Sequence, residues 1–151
     1  MIEIIDYSEE NKSFIKNLNI EWLEKYFAVE PNDEKQLSNP QEEIIDKGGM
    51  IFYAQYQNEI VGCAALMKVD ETTYELSKMA VTATHQGLGI GKYLMKHCLE
   101  TAQRMSMKKL ILYSNTKLQT AVEMYRKYGF KEISFNSTHY KRANIKMELD
   151  L

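Results

Sequence analysis

The sequence predicts one α/β domain, a central mixed and twisted sheet of about six or seven strands flanked by helices. Three observations predict it. Apolar residues alternate with period two in several short segments and recur every three to four residues in others. A strongly amphipathic segment, 90–105, lies between two strand-like runs, 72–81 and 109–114. A helix that crosses over between two strands of one sheet forces them to pair in parallel. Finally, the chain has 151 residues, 44% hydrophobic and 26% charged, with 7 Gly and 2 Pro. That composition suits a single folded unit over residues 1–151 and excludes disorder, collagen and low complexity.

Each element follows from its residues. Residues 1–7 read as a short strand. Ser8 suits a helix N-cap, with Glu9 and Glu10 complementing the dipole of a helix that runs to Phe27. Its expected apolar contacts are Phe14, Ile15, Leu18, Trp22 and Phe27. Pro31 and Pro40 bracket a polar stretch read as a loop, and residues 41–47 read as a short helix stopped by Gly48 and Gly49. Residues 50–56 and 59–69 form two strands around Gln57-Asn58, a plausible hairpin turn. The strand 72–81 pairs back through Asp70-Glu71.

The clearest helix follows, with Ile90, Tyr93, Leu94, His97, Cys98, Thr101, Ala102 and Met105 at helical spacing. Leu110 to Tyr113 mark a buried strand. Leu118, Ala121, Val122 and Tyr125 mark one face of another helix, closed by Gly129. Residues 130–135 and 144–151 complete the order β-α-α-β-β-β-α-β-α-β-β.

Global features exclude several function classes. The net charge of −2 and pI of about 6.0 give no general attraction to nucleic acid or to a membrane. No apolar run approaches the roughly 18 residues of a membrane span. The acidic start, polar by Ser8, does not read as a signal peptide, and a cytoplasmic location is expected. The sequons at Asn11 and Asn136 then carry no meaning. Cys63 and Cys98 are too few for a disulfide framework and look like small core residues. His85, His97 and His139 lack ligand spacing, so no metal is expected.

Three of the seven glycines fall in Gln86-Gly87-Leu88-Gly89-Ile90-Gly91, between a strand and the strongest helix. Such a turn lets backbone N–H groups converge beside a helix N-terminus, which suits a diphosphate. A ligand-free tight turn is the bland reading. A Walker loop fails at Gln86 and again at Tyr93. The dinucleotide fingerprint fails at Lys92 and would follow the first strand of its unit, not the fourth. A kinase loop fails at the same place, with no H-R-D or D-F-G.

The pattern that fits is Q-x-x-G-x-G, filled by Gln86, Gly89 and Gly91. Here the chain resembles the GNAT superfamily of acyl-CoA-dependent N-acetyltransferases. The resemblance extends upstream to Met79-Ala80-Val81 and downstream to Leu112-Tyr113-Ser114-Asn115. It continues through Ala121 and Met124-Tyr125-Arg126-Lys127-Tyr128-Gly129-Phe130. Spacing and element order fit over residues 50–151, the expected acyl-CoA-binding core. Residues 1–49 match only as a strand plus two helices, the variable acceptor side.

The resemblance implies acetyl-CoA as cosubstrate, its pantetheine arm threaded between two splayed parallel strands. Met79, Ala80 and Val81 would line the splayed edge, and a backbone N–H near Met79 would polarise the thioester carbonyl. Amides of Gln86, Gly87, Leu88, Gly89, Ile90, Gly91 and Lys92 would take the pyrophosphate. Asn115 would bond the pantetheine arm; as a residue it equally suits a turn after a strand. Tyr125 occupies the family's general-acid position beside the coenzyme sulfur, and it also lies on an apolar stripe. Glu75, a carboxylate in a largely apolar strand, is the candidate base for the acceptor amine, or else a strand residue facing Lys78. Tyr140 and His139 are weaker candidates for the acceptor pocket.

Neither cysteine has a legible His-and-acid partner, which favours direct attack in a ternary complex over a covalent relay. Charge is uneven. Residues 21–47 hold eight acids against Lys25, Lys35 and Lys47, and residues 104–131 hold seven bases against Glu123. The basic half would suit the 3′-phosphate of coenzyme A and the acidic half a cationic amine, unless both are solvated faces. The expected activity is therefore transfer of acetyl to a primary amine. The acceptor is open among small-molecule and peptide amines, with nucleic acid excluded and monomer or homodimer both open. A non-catalytic acyl-CoA-binding domain and a protein-interaction module are the competing readings.

Overall fold

The computed structural model describes residues 1–135 and 140–151. The sequence candidates Asn136 and His139 fall outside them. β1 (Ile2–Asp6) pairs antiparallel with β2 (Met50–Tyr56), which turns into β3 (Glu59–Lys68) through Gln57 and Asn58. Both turn residues have positive φ, 50° and 66°, the backbone hand that matches strand twist in a two-residue hairpin. β3 pairs antiparallel with β4 (Thr73–Val81), and β4 pairs in parallel with β5 (Lys109–Ser114), as the helical crossover requires. β6 (Lys131–Ile133) and β7 (Ile145–Asp150) finish a seven-stranded sheet in the order β1-β2-β3-β4-β5-β7-β6.

Helices cover the sheet on both faces. On one side α3 (Ile90–Arg104) and α4 (Gln119–Lys127) close a core that includes Phe52, Leu66, Leu76, Leu94, Leu112 and Val122. On the other, α1 (Ser13–Tyr26) and α2 (Pro31–Ser38) cover Ile51, Tyr53, Cys63, Ala65 and Ala80. Along β2, Ile51 and Tyr53 serve the second core while Phe52 and Ala54 serve the first, the period-two division of a sheet buried on both faces. Among the described residues no helix is long and apolar enough to cross a membrane.

Three expectations need correction. The long first helix begins at Ser13 rather than Ser8; residues Glu9–Asn11 form a 3₁₀ turn in which the Asn11 carboxamide accepts from the Ser8 N–H at 2.8 Å. The polar stretch after Pro31 is α2, while Gln41–Ile45 is only a single π turn. α2 has Pro at its first turn, and its Glu30 N–H is capped by the Asp33 side chain at 3.0 Å. It shows no apolar stripe because two of its three buried residues, Asp33 and Gln36, are polar. Along α3, Tyr93 and Met105 point to solvent and Met95 takes a core position instead.

Asp33 is fully buried and is the anchor of α2. Its carboxylate accepts a fork from Arg142, Nη1 at 2.6 Å and Nη2 at 2.8 Å, and an ion pair from Lys78 Nζ at 3.3 Å. Burial by itself raises its pKa, but the Arg142 hydrogen bonds, the Glu30 amide and the charges of Lys78 and Arg142 hold it below the usual carboxylate range. Removing one partner leaves the others buried and uncompensated. Asp33→Ala is expected to cost about 3–5 kcal/mol in urea unfolding at pH 7. Because the folded pKa is depressed, this contribution is complete above the unfolded pKa of about 3.9 and disappears as pH falls further. The stability gap between wild type and variant should therefore narrow in acid.

Candidate active site

The site begins where β4 and β5 stop pairing. They meet only at Thr73–Lys109, Tyr74–Leu110 and Glu75–Ile111, after which residues 76–81 and 112–114 run on apart. Each keeps its outer neighbour: β4 stays on β3 as far as Val81–Gly62, and β5 stays on β7 as far as Ser114–Ile145. The two inner edges therefore present main-chain donors and acceptors to one another across a gap in the middle of the sheet.

A β-bulge sets the direction of one edge. Cys63 faces Ala80 while Ala65 faces Ser77, so two β4 residues, Lys78 and Met79, stand opposite Ala64 alone. The extra residue reverses the side-chain parity. Tyr74 and Leu76 pack in the α3 core, and beyond the bulge Met79 and Val81 join that same core. Lys78 adopts φ +56°, a left-handed backbone that costs a non-glycine residue about 1–2 kcal/mol.

The glycine-rich loop lies at the open end of the gap. After Val81 the chain makes a 3₁₀ turn (Ala83–His85), and the Gln86 amide donates back to the Val81 carbonyl at 3.2 Å, tying the loop to the strand end. Glu21 of α1 accepts from the Thr82 hydroxyl and the Ala83 N–H, both at 2.8 Å, and pins the same entry. Gly89 is the N-cap of α3 with φ 81°, and the first intrahelical bond to it is from the Tyr93 N–H at 3.0 Å. The N–H groups of the first turn ahead of Tyr93 have no partner inside the helix.

Gly91 is more telling. It lies within α3 without a positive φ, and a Cβ there would meet no protein atom within 4 Å. Neither backbone strain nor packing calls for glycine, which is a poor helix former. A group approaching the main chain from outside would call for it. Free amides, a helix dipole and small residues together form a donor set that fits a diphosphate.

Two titratable side chains belong to opposite faces of the sheet. Tyr125 on α4 is partly buried against the α3 core, beside Phe130 at 5.9 Å between ring centroids. Desolvation pushes its phenol up to about 12, so it stays protonated throughout the neutral range. Glu75 is buried at the vertex where pairing ends, and alternation with Tyr74 and Leu76 turns it to the α1/α2 face. There it is grouped with Ser77, Lys78 and Tyr140. Burial first, and then the charge of Glu75, raise the Tyr140 phenol.

That face is a dense polar cluster. The Tyr140 hydroxyl donates to Gln36 Oε1 at 3.1 Å and accepts from Lys78 Nζ at 3.3 Å. Glu30 accepts from the N–H groups of Lys141 and Arg142 at 2.8 and 3.2 Å. Desolvation lowers the Lys78 ammonium despite the opposing charge of Asp33. The acidic run 21–47 is thus largely engaged within the protein: Glu21, Glu30, Asp33, Glu34 and Glu43 all have partners.

Asn115, the other sequence candidate, has both ends of its amide in use. Nδ2 donates to the Arg142 carbonyl at 2.6 Å and Oδ1 accepts from the Lys117 N–H at 2.8 Å, the local bond of an Asx turn. Cys63 and Cys98 are buried, which pushes both thiols up to about 12, and neither supplies a thiolate nucleophile near neutral pH. Among the described residues no group of three His, Cys, Asp or Glu is placed to hold a metal ion. Glu75 and Met79 to Val81 thus lie along the parted stretch of β4 and Gln86 to Lys92 follow at its open end, while Tyr125 packs against the α3 core that Met79 and Val81 also join. Sequence reading missed Asn19 and Arg142, the burial of Lys78, and the buried role of Asp33, which it counted only within the acidic run. A lysine inside an apolar strand was their only sequence signal.

Comparison with known proteins agrees with this architecture. The acetyltransferase (GNAT) family profile matches residues 14–130, and the chain belongs to that family. An uncharacterized N-acetyltransferase of Mycobacterium tuberculosis, Rv2669, is 34% identical over 109 residues, covering 72% of this chain and 68% of that protein. Matches to two other curated relatives span 40% and 50% of those proteins' lengths. Among solved structures, a GNAT-family acetyltransferase from Staphylococcus aureus Mu50 superposes with a TM-score of 0.87 at 23% identity, covering 99% of both chains. The yncA protein of Salmonella typhimurium, solved with acetyl-CoA, superposes with a TM-score of 0.78 at 16% identity, covering 99% of this chain and 94% of that one.

Gly89 and Gly91 separate by backbone. Gly91→Ala should raise Tm, since the helix gains up to about 1 kcal/mol of propensity and nothing clashes. Gly89→Ala should lower Tm, because its left-handed cap costs an L-residue about 1–2 kcal/mol. Thermal unfolding of the two variants without ligand checks both signs.

Proposed function

We propose that this chain is an N-acetyltransferase that moves acetyl from acetyl-CoA to a primary amine by direct attack within a ternary complex. The observation that carries the reading is the unpaired stretch of β4 and β5, which runs into a glycine-rich helix N-terminus whose Gly91 has no packing reason to be glycine. Residues 50–151 act as the acyl-CoA core and residues 1–49 supply the acceptor side.

Acetyl-CoA brings an activated thioester. The chain's own residues hold and orient it. Amides of Gln86, Gly87, Leu88, Gly89, Ile90, Gly91 and Lys92 bind the pyrophosphate. The β4 edge at Met79, Ala80 and Val81 bonds the pantetheine amides as a third strand would. The Met79 N–H donates to the thioester carbonyl and stabilises charge there as the amine attacks. Asn115 shapes the end of β5, and the second lone pair of its Oδ1 remains for the pantetheine arm.

Proton movements fall to Glu75 and Tyr125. Glu75 accepts the proton of the incoming ammonium, directly or through water, so that the neutral amine is the nucleophile. Tyr125 donates a hydrogen bond to the departing sulfur. With its phenol near 12 and a thiol near 8.5, tyrosine keeps its proton in a hydrogen bond to the departing thiolate, and that thiolate takes the second proton, the one the acylated nitrogen sheds. A cationic acceptor is drawn by Glu75, whereas four acids of the run 21–47, Glu30, Asp33, Glu34 and Glu43, are ion-paired within the protein. The acceptor is a small-molecule or peptide amine.

A panel of amines assayed by thiol release, beside calorimetry with CoA, tests the reading. Wild type should bind CoA and turn over at least one amine. Binding without turnover on any amine would leave a non-catalytic acyl-CoA-binding domain. Tyr125→Phe should lower kcat about 100-fold or more while CoA affinity holds. Glu75→Gln should lower the rate at pH 7 and recover close to tenfold per pH unit toward the amine's own pKa, as solvent takes over deprotonation. Gly91→Ala, expected to stabilise the free protein, should weaken CoA binding.

A further inference from the structure

The atoms that hold the β4 bulge come from elements far from it in sequence. Lys78 has no partner in the β3–β4 register, and its carbonyl is collected instead by Asn19 Nδ2 of α1 at 3.1 Å and by the Cys63 thiol of β3 at 3.1 Å. Asn19 is wholly buried in mid-helix, flanked by the core residues Ile15, Leu18 and Leu23. Asparagine is a weak helix former, and a buried amide is costly unless bonded. This one is bonded at both ends. Nδ2 also reaches the Ile15 carbonyl at 2.9 Å, and Oδ1 accepts from Trp22 Nε1 at 3.0 Å. Its orientation is therefore determined before any ligand arrives.

The consequence passes through one peptide plane. In a trans peptide the C=O and the following N–H point in opposite directions. The Lys78 carbonyl is held toward α1 and β3, so the Met79 N–H is directed to the opposite side, where β4 has parted from β5. We infer that Asn19, seconded by the Cys63 thiol, is a positioning residue that aims the Met79 amide at the thioester carbonyl. Without it the left-handed Lys78 could relax, and the peptide would be free to turn its N–H back to the β3 ladder. The inference rests on the acetyl-CoA reading above and adds to it a residue on the acceptor-side helix.

The test reads the carbonyl itself. Infrared spectra of protein-bound [1-¹³C]acetyl-CoA, beside kcat, Tm and the Kd for CoA, are compared for wild type, Asn19→Leu and Asn19→Ser. The leucine variant keeps the volume. The serine variant is too short to reach the Lys78 carbonyl and strains the core least. In wild type the bound carbonyl band should lie below that of free acetyl-CoA. In either folded variant the shift should shrink and kcat should fall about tenfold to a hundredfold, with the Kd for CoA within about twofold. A variant that loses Tm and rate while keeping the full carbonyl shift would make Asn19 merely structural and overturn the inference. Unchanged shift and kcat would overturn it too. A wild type that binds no acetyl-CoA overturns the underlying reading, a result distinct from the other two.

Discussion

The early parting of β4 and β5 is the feature on which the remaining geometry depends. A parallel pair in the centre of a sheet normally satisfies its main chain along its whole length. Here pairing ends at Glu75–Ile111, and the strands continue separately for the rest of their course. Unpaired edge groups in a sheet interior are costly, so a fold retains them only where something else bonds to them. That constraint places Glu75 at the vertex and Met79 on the edge, with the amide-rich start of α3 at the mouth. Gly62 belongs to the same arrangement. A Cβ there would sit 3.1 Å from both Ile90 and Leu94, so its absence lets the start of α3 approach the sheet.

The face under α1 and α2 sets a buried charge cluster beside its apolar core. Asp33, Lys78, Arg142 and Glu30 join a helix, a bulged strand and the segment before β7. Arg142 also lies over the rings of Trp22 and Tyr140, at 5.7 and 4.6 Å from their centroids. Burying such ions is no gain over apolar packing of equal volume. Its effect is directional: forked and charge-assisted bonds fix the relative placement of three chain segments beside Glu75.

Legibility in the sequence followed the range of the interactions. The hairpin at Gln57-Asn58, the crossover helix and the glycine loop could be read because each depends on residues a few positions apart, and the parallel pair followed from the crossover helix between its strands. Misreadings occurred where distant partners decided the outcome. α2 looked like a loop because its buried residues are Asp33 and Gln36, which only Arg142, Lys78 and Tyr140 make worth burying. Tyr93 and Met105 looked like core positions because periodicity cannot tell the edge of a stripe from its centre. Asn19 drew no attention, since nothing nearby in sequence shows that a carbonyl sixty residues away needs a donor.

What the sequence alone determined was the list of elements, their order, and the chemical kind of the loop, because backbone conformation and burial pattern are set by near neighbours. Only the tertiary structure decided which way the Lys78 carbonyl faces, which acids are already compensated, and that Glu75 is buried where β4 and β5 part. Those outcomes depend on bonds between segments that meet only once the sheet has formed.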